Sequence, residues 1–581
     1  MAKTVAHTFI DTLVRAGVRR IWGIAGDSLN ALTDALREDG RIEWMHTRHE
    51  EAAAFAAGAD ADVTGRIAVL AGSSGPGNLH FINGLYDAQR NHVPVLAIAS
   101  HIPLDQIGSN YFQETHPQEL YRELSVYSEL VSDASQLPWV LETAMRTAIE
   151  RKGVAVVTVP SDIFFQPAPA RRPTAPIVAA APRIVPSVAE LQAAAKALDA
   201  AGRITILAGS GVAGAHAEVL ALAERLQAPI VHAMRGKEHI EYDNPYDVGM
   251  TGLIGFASGY RAMERADALL MLGTDFPYRQ FYPDSATIIQ VDIRGENLGR
   301  RTPIDLGLVG DVASTSEALL PLLRVGRDGK HLKDSVKHYE RTRKDLDALA
   351  YDDGRKPIHP QFLTRTVSRV AADDAIFTAD VGSPTVWAAR YLEMTEHRRL
   401  LGSFNHGSMA NALSQALGAQ ADDRARQVVA LSGDGGLTML MGELLTAVQN
   451  DLPVKVVVSN NSSLNFVELE MKAAGIPTYA TGLKNPDFAA VARAMGIAGI
   501  RVEDGRDLED ALRTALATPG PVLVDVVTAR DELTLPPTVT GAQARGFALW
   551  ALKTVMSGRG DELLDLADTN VWRRVLRGRQ R

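Results

Sequence analysis

One short stretch of the chain carries residues that suit metal and phosphate binding. Gly433-Asp434-Gly435 is followed, after 24 intervening residues, by Asn460-Asn461. A carboxylate, an amide oxygen and a nearby backbone carbonyl form the oxygen-only ligand set that Mg²⁺ prefers, and Mg²⁺ completes its shell with water and substrate phosphates. Glycines beside the carboxylate allow the backbone to approach a diphosphate closely. The alternative is a tight turn together with an Asx turn.

The flanking sequence predicts how these polar groups are positioned. Short apolar runs, Arg426–Leu431 and Val454–Ser459, precede the two motifs and are typical of buried strands, and Leu437–Val448 has helical apolar spacing. The carboxyl ends of neighbouring parallel strands are where open α/β sheets bind ligands. We therefore expect a strand–helix–strand unit with both motifs at one edge of a sheet.

The two motifs at this spacing resemble the signature of the thiamine diphosphate (ThDP) enzymes. By that resemblance Asp434, Asn461 and the carbonyl of Ser463 bind Mg²⁺, which binds the diphosphate alongside Gly435 and Gly436. A further matching stretch is Gly407-Ser408-Met409. By the same resemblance, the backbone carbonyl of Gly407 accepts a hydrogen bond from the cofactor's amino group. The apolar side chain at Met409 supports the bent cofactor. The alternative for such a methionine is core filling.

A second candidate lies near the amino terminus, where Arg48-His49-Glu50-Glu51 opens an alanine-rich helix. Without the resemblance, Glu50 is a carboxylate in a helix's first turn, favoured by the helix dipole. In the ThDP family the glutamate after Arg-His hydrogen-bonds the aminopyrimidine N1′ and promotes loss of the thiazolium C2 proton, so Glu50 is our catalytic residue. The same resemblance places Phe112 and Gln113 against the thiazolium from a neighbouring subunit.

The middle of the chain resembles the central domain of the flavin-containing branch of the family. Gly209-Ser-Gly211-Val-Ala-Gly214 has the form of a dinucleotide-binding loop, but the next strand ends in Ile230-Val-His232 without the acidic residue that such sites use. The alternative is a central domain that binds nothing. By resemblance, the contacts to flavin adenine dinucleotide (FAD) are Arg235, Thr251, Gly252, Leu253, Ile254, Thr274, Asp275, Phe276, Pro277, Tyr278 and Asp292.

Composition and patterning indicate a multidomain α/β protein. The 581 residues carry a net charge of −9, with 46% hydrophobic residues and no cysteine. This excludes disulfides and a cysteine nucleophile and argues against nucleic-acid binding. Alternating strand and helix patterns predict three doubly wound, mostly parallel-sheet domains and a C-terminal amphipathic tail. We place the boundaries at 1–166 (ThDP pyrimidine), 187–330 (FAD), 358–535 (ThDP diphosphate and Mg²⁺) and 536–581 (tail), with a proline-rich linker at 167–186.

Two features are predicted to act in electron transfer. Phe466 follows the asparagine pair and is expected either in an exposed loop that moves toward the active centre or as a core aromatic. In the tail, apolar residues from Leu564 to Leu576 have helical spacing, and five arginines follow Trp572. This pattern is typical of a helix lying at an anionic lipid surface; the alternative is a helix packed on its own subunit.

No signal peptide or membrane-spanning run is visible, so we expect a cytoplasmic protein that associates with the inner face of the membrane when activated.

The resemblance covers the whole chain and is greatest to the quinone-linked pyruvate dehydrogenases of the pyruvate oxidase and acetolactate synthase family. It implies a homotetramer with ThDP, Mg²⁺ and FAD that converts pyruvate to acetate and CO₂. Electrons pass from hydroxyethyl-ThDP to FAD and then to membrane ubiquinone. The alternatives are a simple decarboxylase, a phosphate-dependent pyruvate oxidase, an acetolactate synthase-like carboligase with non-redox FAD, and a catalytically silent homologue.

Overall fold

Three six-stranded sheets, each with all strands parallel, follow one another along the chain. They are described from a computed structural model that covers residues 3–169, 177, 182–351, 354, 356–530, 532 and 549. The three α/β domains predicted from the sequence are confirmed. The boundaries given above remain predictions, and the amphipathic tail lies outside the described residues, as does most of the proline-rich linker.

The first sheet has the order β2-β1-β3-β4-β6-β5. Its strands are β1 Arg20–Gly23, β2 Glu43–His46, β3 Ala68–Gly72, β4 Val95–His101, β5 Tyr127–Leu130 and β6 Val154–Pro160. Five of these strands coincide to within two residues at each end with short apolar runs that predict buried strands, Arg20–Ile24, Ile42–Thr47, Ile67–Ala71, Val95–Ser100 and Val154–Val159. The edge strand β5 was missed because it is half-exposed and short, without the continuous apolar run of its buried neighbours.

The second sheet has the order β12-β11-β10-β7-β8-β9. Its strands are β7 Ile204–Ala208, β8 Ile230–His232, β9 Asp247–Met250, β10 Ala268–Leu272, β11 Thr287–Asp292 and β12 Leu306–Val309. Asp292 is the last residue of β11, and the apolar run Ile288–Val291 before it predicts this strand with a carboxylate at its end. The loops that follow β7 to β11 therefore share one edge of the sheet.

The third sheet has the order β14-β13-β15-β16-β18-β17. Its strands are β13 Ile376–Ala379, β14 Arg399–Gly402, β15 Val428–Gly433, β16 Lys455–Asn460, β17 Ala498–Val502 and β18 Val522–Val527. The two runs predicted as strands are β15 and β16. They are neighbours, with Gly433 opposite Ser459, so both motifs leave the sheet at the same edge.

Helices cover both faces of each sheet. They are α1 Val5–Arg15, α2 Asn30–Asp39, α3 Glu50–Thr64, α4 Pro76–His80, α5 Ile82–Asn91, α6 Pro117–Leu120, α7 Leu137–Arg151, α8 Val188–Ala200, α9 His216–Leu226, α10 Lys237–Ile240, α11 Ala257–Glu264, α12 Val312–Leu319, α13 Lys330–Asp347, α14 Pro360–Val370, α15 Ser383–Tyr391, α16 Asn411–Gln420, α17 Asp434–Met439, α18 Leu444–Gln449, α19 Asn465–Ala473, α20 Phe488–Ala494 and α21 Gly505–Ala517.

The single helix predicted over Leu437–Val448 is wrong. The chain forms two helices, α17 and α18, separated by a 3₁₀ turn at Met441–Glu443. Glu443 lies in that turn with 1% of its surface exposed, and its carboxylate accepts hydrogen bonds from the backbone N–H of Arg48 at 3.2 Å. The helix breaks where the buried carboxylate of Glu443 meets its hydrogen-bond donor in the first domain. The spacing of apolar residues does not indicate such a distant partner.

The first and third domains pack tightly through α3 and α16. The alanines of α3 are buried, and a Cβ on Gly418 of α16 would lie 2.0 Å from the carbonyl oxygen of Ala56. Small residues on both helices thus let their backbones approach closely. Beside them, Arg20 donates to Asp422 at 2.9 Å, which joins the two domains by an ion pair.

Among the described residues, no helix is both long enough and apolar enough to cross a bilayer.

Candidate active site

Asp434 lies at the carboxyl edge of the third sheet, at the first position of α17, with 3% of its surface exposed. Its Oδ1 accepts from the N–H of Gly435 at 2.8 Å, and its Oδ2 accepts from the N–H of Ser462 at 2.6 Å. Within the described chain no lysine, arginine or histidine forms an ion pair with it. Burial raises the pKa of this carboxyl. Its ionised form therefore has no positively charged group among the described residues to stabilise it.

The loop after β16 brings two further oxygens to this edge. The side-chain Oδ1 of Asn461 accepts from the N–H of Ser463 at 3.0 Å, and Ser462 between them has a left-handed backbone with φ of 55°. Ser463 is buried, and no donor in the described residues reaches its carbonyl oxygen. A carboxylate, an amide oxygen and a free carbonyl therefore gather at one place, a donor set that fits Mg²⁺.

Asn485, which we did not predict, holds this arrangement in place. Its Nδ2 donates to Asp434 Oδ2 at 2.7 Å and to Asn460 Oδ1 at 2.9 Å. Asn460 in turn donates to Asp525, a fully buried residue of β18, at 2.9 Å. Asp525 breaks the apolar pattern of its strand, and that break was a visible signal for a buried polar network.

Met409 lies beside the same motif. A Cβ on Gly435 would come within 3.3 Å of Met409 Cε, and a Cβ on Gly436 would come within 2.4 Å of Asp380 Oδ2. Both glycines are therefore required by close neighbours. Gly407 has a φ of 82°, and its N–H donates to the carbonyl of Ser403 at 2.7 Å. The structure thus places Met409 beside Gly435, the residue that follows Asp434.

Glu50 is the first residue of α3, with 8% of its surface exposed. Its Oε2 lies 2.8 Å from Nδ1 of His80, and its Oε1 would be 3.3 Å from a Cβ on Gly77. The ring of His49 stacks on His80 with centroids 4.4 Å apart, and His49 Nδ1 accepts from the N–H of Glu51 at the helix start. The pairing of His80 with Glu50 was not predicted.

The neighbouring carboxylate has a different partner. Glu51 Oε1 accepts from Asn83 Nδ2 at 2.6 Å, and the same amide donates to Ser408 Oγ at 2.8 Å, which joins the first domain to the third. Within the described chain no hydrogen bond or ion pair joins Glu50 itself to Asp434, Asn461 or Met409. Glu50 therefore makes no direct polar contact with those three residues, although its neighbour Glu51 is linked through Asn83 to Ser408.

Phe112 and Gln113 belong to a loop between β4 and β5. The Phe112 side chain is 75% exposed, the second most exposed large apolar side chain among the described residues. Gln113 has a left-handed backbone with φ of 64°, and its Oε1 accepts from Ser74 Oγ at 3.0 Å. Gln113 thus lies against the glycine-rich turn that precedes His80, while Phe112 points outward.

The comparison with known proteins agrees with this geometry. Models of the thiamine pyrophosphate enzymes match in chain order: the N-terminal TPP binding domain over residues 3–120, the central domain over 191–319 and the C-terminal TPP binding domain over 380–526. Thiamine pyrophosphate (TPP) is another name for ThDP. A protein of Bacillus subtilis named for its content of thiamine pyrophosphate is 36% identical, over 97% of this chain and 98% of its own length. The chain belongs to the thiamine pyrophosphate enzyme family.

Two relatives with named activities cover most of this ThDP enzyme. A pyruvate oxidase of Lactiplantibacillus plantarum is 31% identical over 90% of the chain and 88% of its own length. An acetolactate synthase of Mycobacterium bovis is 29% identical over 93% of the chain and 90% of its own length.

Phe466 is neither in an exposed loop nor in the core, so both expectations for it were wrong. It lies in the first turn of α19, half-buried, with its Cβ 4.0 Å from the position of a Cβ on Gly382. Asn465 before it is buried and accepts from Ser383 Oγ at 3.0 Å. That bond fixes the start of the helix and makes Phe466 part of an ordered element.

In the central domain of this ThDP enzyme, the predicted flavin residues follow β8 to β11. Thr251 follows β9 and Thr274 follows β10, both buried, whereas Leu253 and Tyr278 are exposed by 40% and 38%. Gly252, with a φ of 100°, would place a Cβ 3.0 Å from the ring of Phe276. The structure therefore brings the predicted residues together at one edge of the second sheet.

Charged members of this set are held by neighbours. Asp292 is buried, accepts from the N–H of Arg294 at 2.8 Å, and has its pKa raised by burial. Asp275 forms a two-bond ion pair with Arg301 at 2.7 and 2.8 Å. Arg235 donates instead to the carbonyl of Asn91 in the first domain at 3.0 Å.

The glycine-rich loop after β7 is explained by packing within the domain. A Cβ on Gly209 would lie 2.4 Å from the carbonyl oxygen of Gly273, and one on Gly211 would lie 2.6 Å from Gly273 Cα. These glycines let the loops after β7 and β10 cross closely. A dinucleotide site would have an acidic residue at the end of its second strand, but here β8 ends at His232. The strand of this sheet that ends in a carboxylate residue near the predicted flavin contacts is β11, at Asp292.

Proposed function

We propose that this ThDP enzyme is a pyruvate dehydrogenase (quinone) that decarboxylates pyruvate oxidatively to acetate and CO₂, with FAD and then ubiquinone as electron acceptors. The observation that carries the flavin half is the gathering of polar and aromatic residues after β8, β9 and β10 and at the end of β11, at one edge of the central sheet. The 31% identity to a pyruvate oxidase supports pyruvate as the substrate.

The central edge fits a flavin dinucleotide on its own chemistry. Thr251 Oγ1 is buried and has no hydrogen-bond partner, an expensive arrangement unless a ligand supplies one. Asp292 offers a buried carboxylate at a strand end, the position that suits a ribose hydroxyl. Phe276 and Tyr278, whose ring centroids lie 5.4 Å apart, add an aromatic wall. These residues would hold the flavin.

On the third domain, Asp434, Asn461 and the Ser463 carbonyl would hold Mg²⁺ and through it the diphosphate, and Met409 would support the cofactor's rings. When bound, ThDP supplies a carbanion at C2 that attacks the keto carbon and accepts the electrons left by CO₂, and FAD accepts a pair of electrons. Glu50 would hold and move the proton at its own Oε, and His80 fixes the orientation of that carboxyl through Nδ1.

We propose that a second copy of the chain completes each site, since Glu50 and Asp434 share no hydrogen bond or ion pair within the described residues of one chain. Phe112 is 75% exposed and would be covered if a second copy packed against its loop, which favours the same arrangement. We propose a homotetramer, the state implied by the resemblance. Sedimentation equilibrium with and without ThDP and Mg²⁺ tests it.

Anaerobic flavin spectroscopy distinguishes the proposed reaction from its rivals. Pyruvate should bleach the bound flavin of the holoenzyme in the absence of phosphate, and added ubiquinone should restore the colour with acetate as product. Bleaching that needs phosphate and yields acetyl phosphate would identify a phosphate-dependent pyruvate oxidase. Unbleached flavin with acetolactate formation would identify a carboligase, the activity named for the 29% identical relative.

Phe466→Ala should slow electron transfer to the flavin more than decarboxylation. Phe466 is half-buried and follows Ser463, a proposed Mg²⁺ ligand, by three residues, so its loss should disturb positioning for transfer, and we expect about a tenfold slower flavin reduction. Stopped-flow reduction by pyruvate and decarboxylation with an artificial acceptor measure the two steps. Val467→Ala, on the neighbouring exposed position, is the control. Equal losses in both assays would assign Phe466 to packing.

We further propose that residues 558–581 bind anionic phospholipid and deliver electrons to quinone at the membrane. A chain that ends at Ser557 should keep pyruvate oxidation with an artificial acceptor but lose vesicle binding and most quinone reduction. Co-sedimentation with anionic vesicles, with and without pyruvate, measures the binding. If the full-length holoenzyme stays in the supernatant under both conditions, the tail does not carry membrane binding.

A further inference from the structure

All three domains meet around a small cavity. The first domain contributes Asp62, Asp87 and Asn91, the central domain contributes Arg235 and Glu238, and the third contributes residues 400–402, Phe404 and Gln415. The cavity measures about 20 Å³, which is room for one atom-sized occupant. Of its lining residues only Arg235 belongs to the predicted cofactor contacts, and no role has been assigned above to Asp87 or Asn91.

Two buried oxygens face this cavity without a hydrogen-bond partner. Asp87 is 3% exposed; its carboxylate accepts from Gln415 Nε2 at 2.9 Å and from the Ser403 hydroxyl, but its Oδ1 has no partner. Asn91 is 9% exposed, and its Oδ1 also has no partner. Buried acceptors in native proteins almost always have a partner. Both oxygens are therefore expected to contact a hydrogen-bond donor or a cation in the cavity.

The charges around the cavity do not balance. Arg399 serves two carboxylates, donating to Asp62 at 2.8 Å and to Glu238 at 2.9 Å. Arg235 donates to the backbone carbonyl of Asn91, not to a carboxylate. Three carboxylates therefore face two guanidinium groups, and Asp87 is the one without a direct cationic partner among the described residues.

We propose that this cavity binds one monovalent metal cation, Na⁺ or K⁺, through Asp87 Oδ1 and Asn91 Oδ1, and that the cation fastens the three domains together. Hard cations take oxygen ligands of this kind, carboxylate and amide carbonyl. A water molecule would satisfy the same two oxygens, but it would leave the excess negative charge uncompensated. Three carboxylates and two guanidinium groups leave one uncompensated negative charge. The cation would supply the missing positive charge.

A proton on Asp87 competes with the cation. Burial raises the pKa of Asp87 to about 7, with Arg235, Gln415 and Ser403 opposing that rise and Asp62 adding to it. A carboxyl whose pKa is raised on folding stabilises the folded state less as the pH climbs from its unfolded value through about 7. The cation replaces the proton above that pH, so its stabilising effect should appear above pH 7 and fade below it.

Thermal unfolding of the full-length holoenzyme tests the proposal. At pH 8.5 the Tm in NaCl or KCl should exceed the Tm in choline chloride of equal ionic strength by about 2 °C or more. At pH 6 the difference should shrink to within error. Equal Tm values in all three salts at pH 8.5 would overturn the cation site and leave a water-filled cavity.

Two variants assign the effect to a residue. Asp87→Asn keeps the shape but removes the charge, so the difference between the salts should disappear. Asp247→Asn is the matched control, because Asp247 is also buried with a pKa raised to about 7, yet it does not line the cavity. If the salt difference persists in Asp87→Asn, or disappears equally in Asp247→Asn, the proposal is wrong.

Thallium, a heavy mimic of K⁺, tests the unaltered protein. Crystals of the holoenzyme soaked in Tl⁺ should show an anomalous peak between Asp87 and Asn91. This measurement does not depend on the folding of any variant. No peak there at a Tl⁺ concentration that loads other sites would contradict the proposal.

Discussion

Glu50→Gln should lower turnover by about 10²–10⁴, the range expected for the loss of one positioned acid–base group. Glutamine has nearly the same shape and can still meet His80 Nδ1, which lies 2.8 Å from Glu50 Oε2. It cannot hold and release a proton. The FAD content should stay at its original level because the proposed flavin residues lie in another domain. Steady-state oxidation of pyruvate at saturating ThDP measures the effect.

Glu51→Gln is the control for this experiment. Glu51 accepts from Asn83 at 2.6 Å, and a glutamine oxygen accepts the same bond, so turnover should remain within about twofold of the original. Neither variant should lose affinity for ThDP, because neither residue is among the proposed metal ligands. If Glu50→Gln keeps more than half of the activity while Glu51→Gln loses it, the catalytic role belongs to Glu51.

The two strands that lead to the proposed metal site were predicted correctly from local sequence. The strands that precede Asp434 and Asn461 are short apolar runs, and turn residues mark their ends, so periodicity alone located β15 and β16. Parallel pairing then places both carboxyl ends at one edge, as the register of Gly433 with Ser459 shows. The same reasoning placed Asp292 at the end of β11.

Partners that are distant in sequence could not be predicted. Asn485 lies 51 residues from Asp434, and His80 lies 30 residues from Glu50, and neither spacing carries a signal of its own. The break between α17 and α18 depends on Glu443 meeting Arg48, which is 395 residues away. Phe466 was misplaced for the same reason, because the bond from Ser383 to Asn465 fixes the helix that contains it.

The cavity among the three domains shows the same limit more strongly. Asp87 occurs in an ordinary amphipathic helix, α5, and nothing in its neighbourhood distinguishes it from a surface carboxylate. Its burial follows only from the docking of three domains on one another. A sequence read one domain at a time therefore cannot reveal a site to which every domain contributes.

Asp434→Asn should weaken ThDP binding in the presence of Mg²⁺ by at least about 100-fold, because even outer-shell changes at metal sites cost 10–100-fold. Asparagine keeps an acceptor for the N–H groups of Gly435 and Ser462 but removes the only formal charge among the three proposed ligands. Isothermal titration calorimetry with ThDP at fixed Mg²⁺ gives the affinity. Flavin content should not change.

The stability of the same variant gives a second, independent result. Burial raises the pKa of Asp434, so the ionised carboxylate destabilises the cofactor-free fold increasingly as pH rises above its unfolded value. Without cofactor at pH 8, Asp434→Asn should therefore be at least as stable as the original protein. The original should gain about 2.7 kcal/mol from ThDP and Mg²⁺ at 100 times Kd, and the variant should gain almost nothing.

Asp292→Asn is the reciprocal control for both measurements. It removes a buried carboxylate of the same kind from the central domain, so it should lower FAD content while ThDP affinity stays unchanged. An Asp434→Asn protein that binds ThDP as tightly as the original, with Mg²⁺ present, would place the metal site elsewhere. A variant that loses FAD and ThDP together would instead indicate a general loss of the fold, because the two proposed sites share no residue.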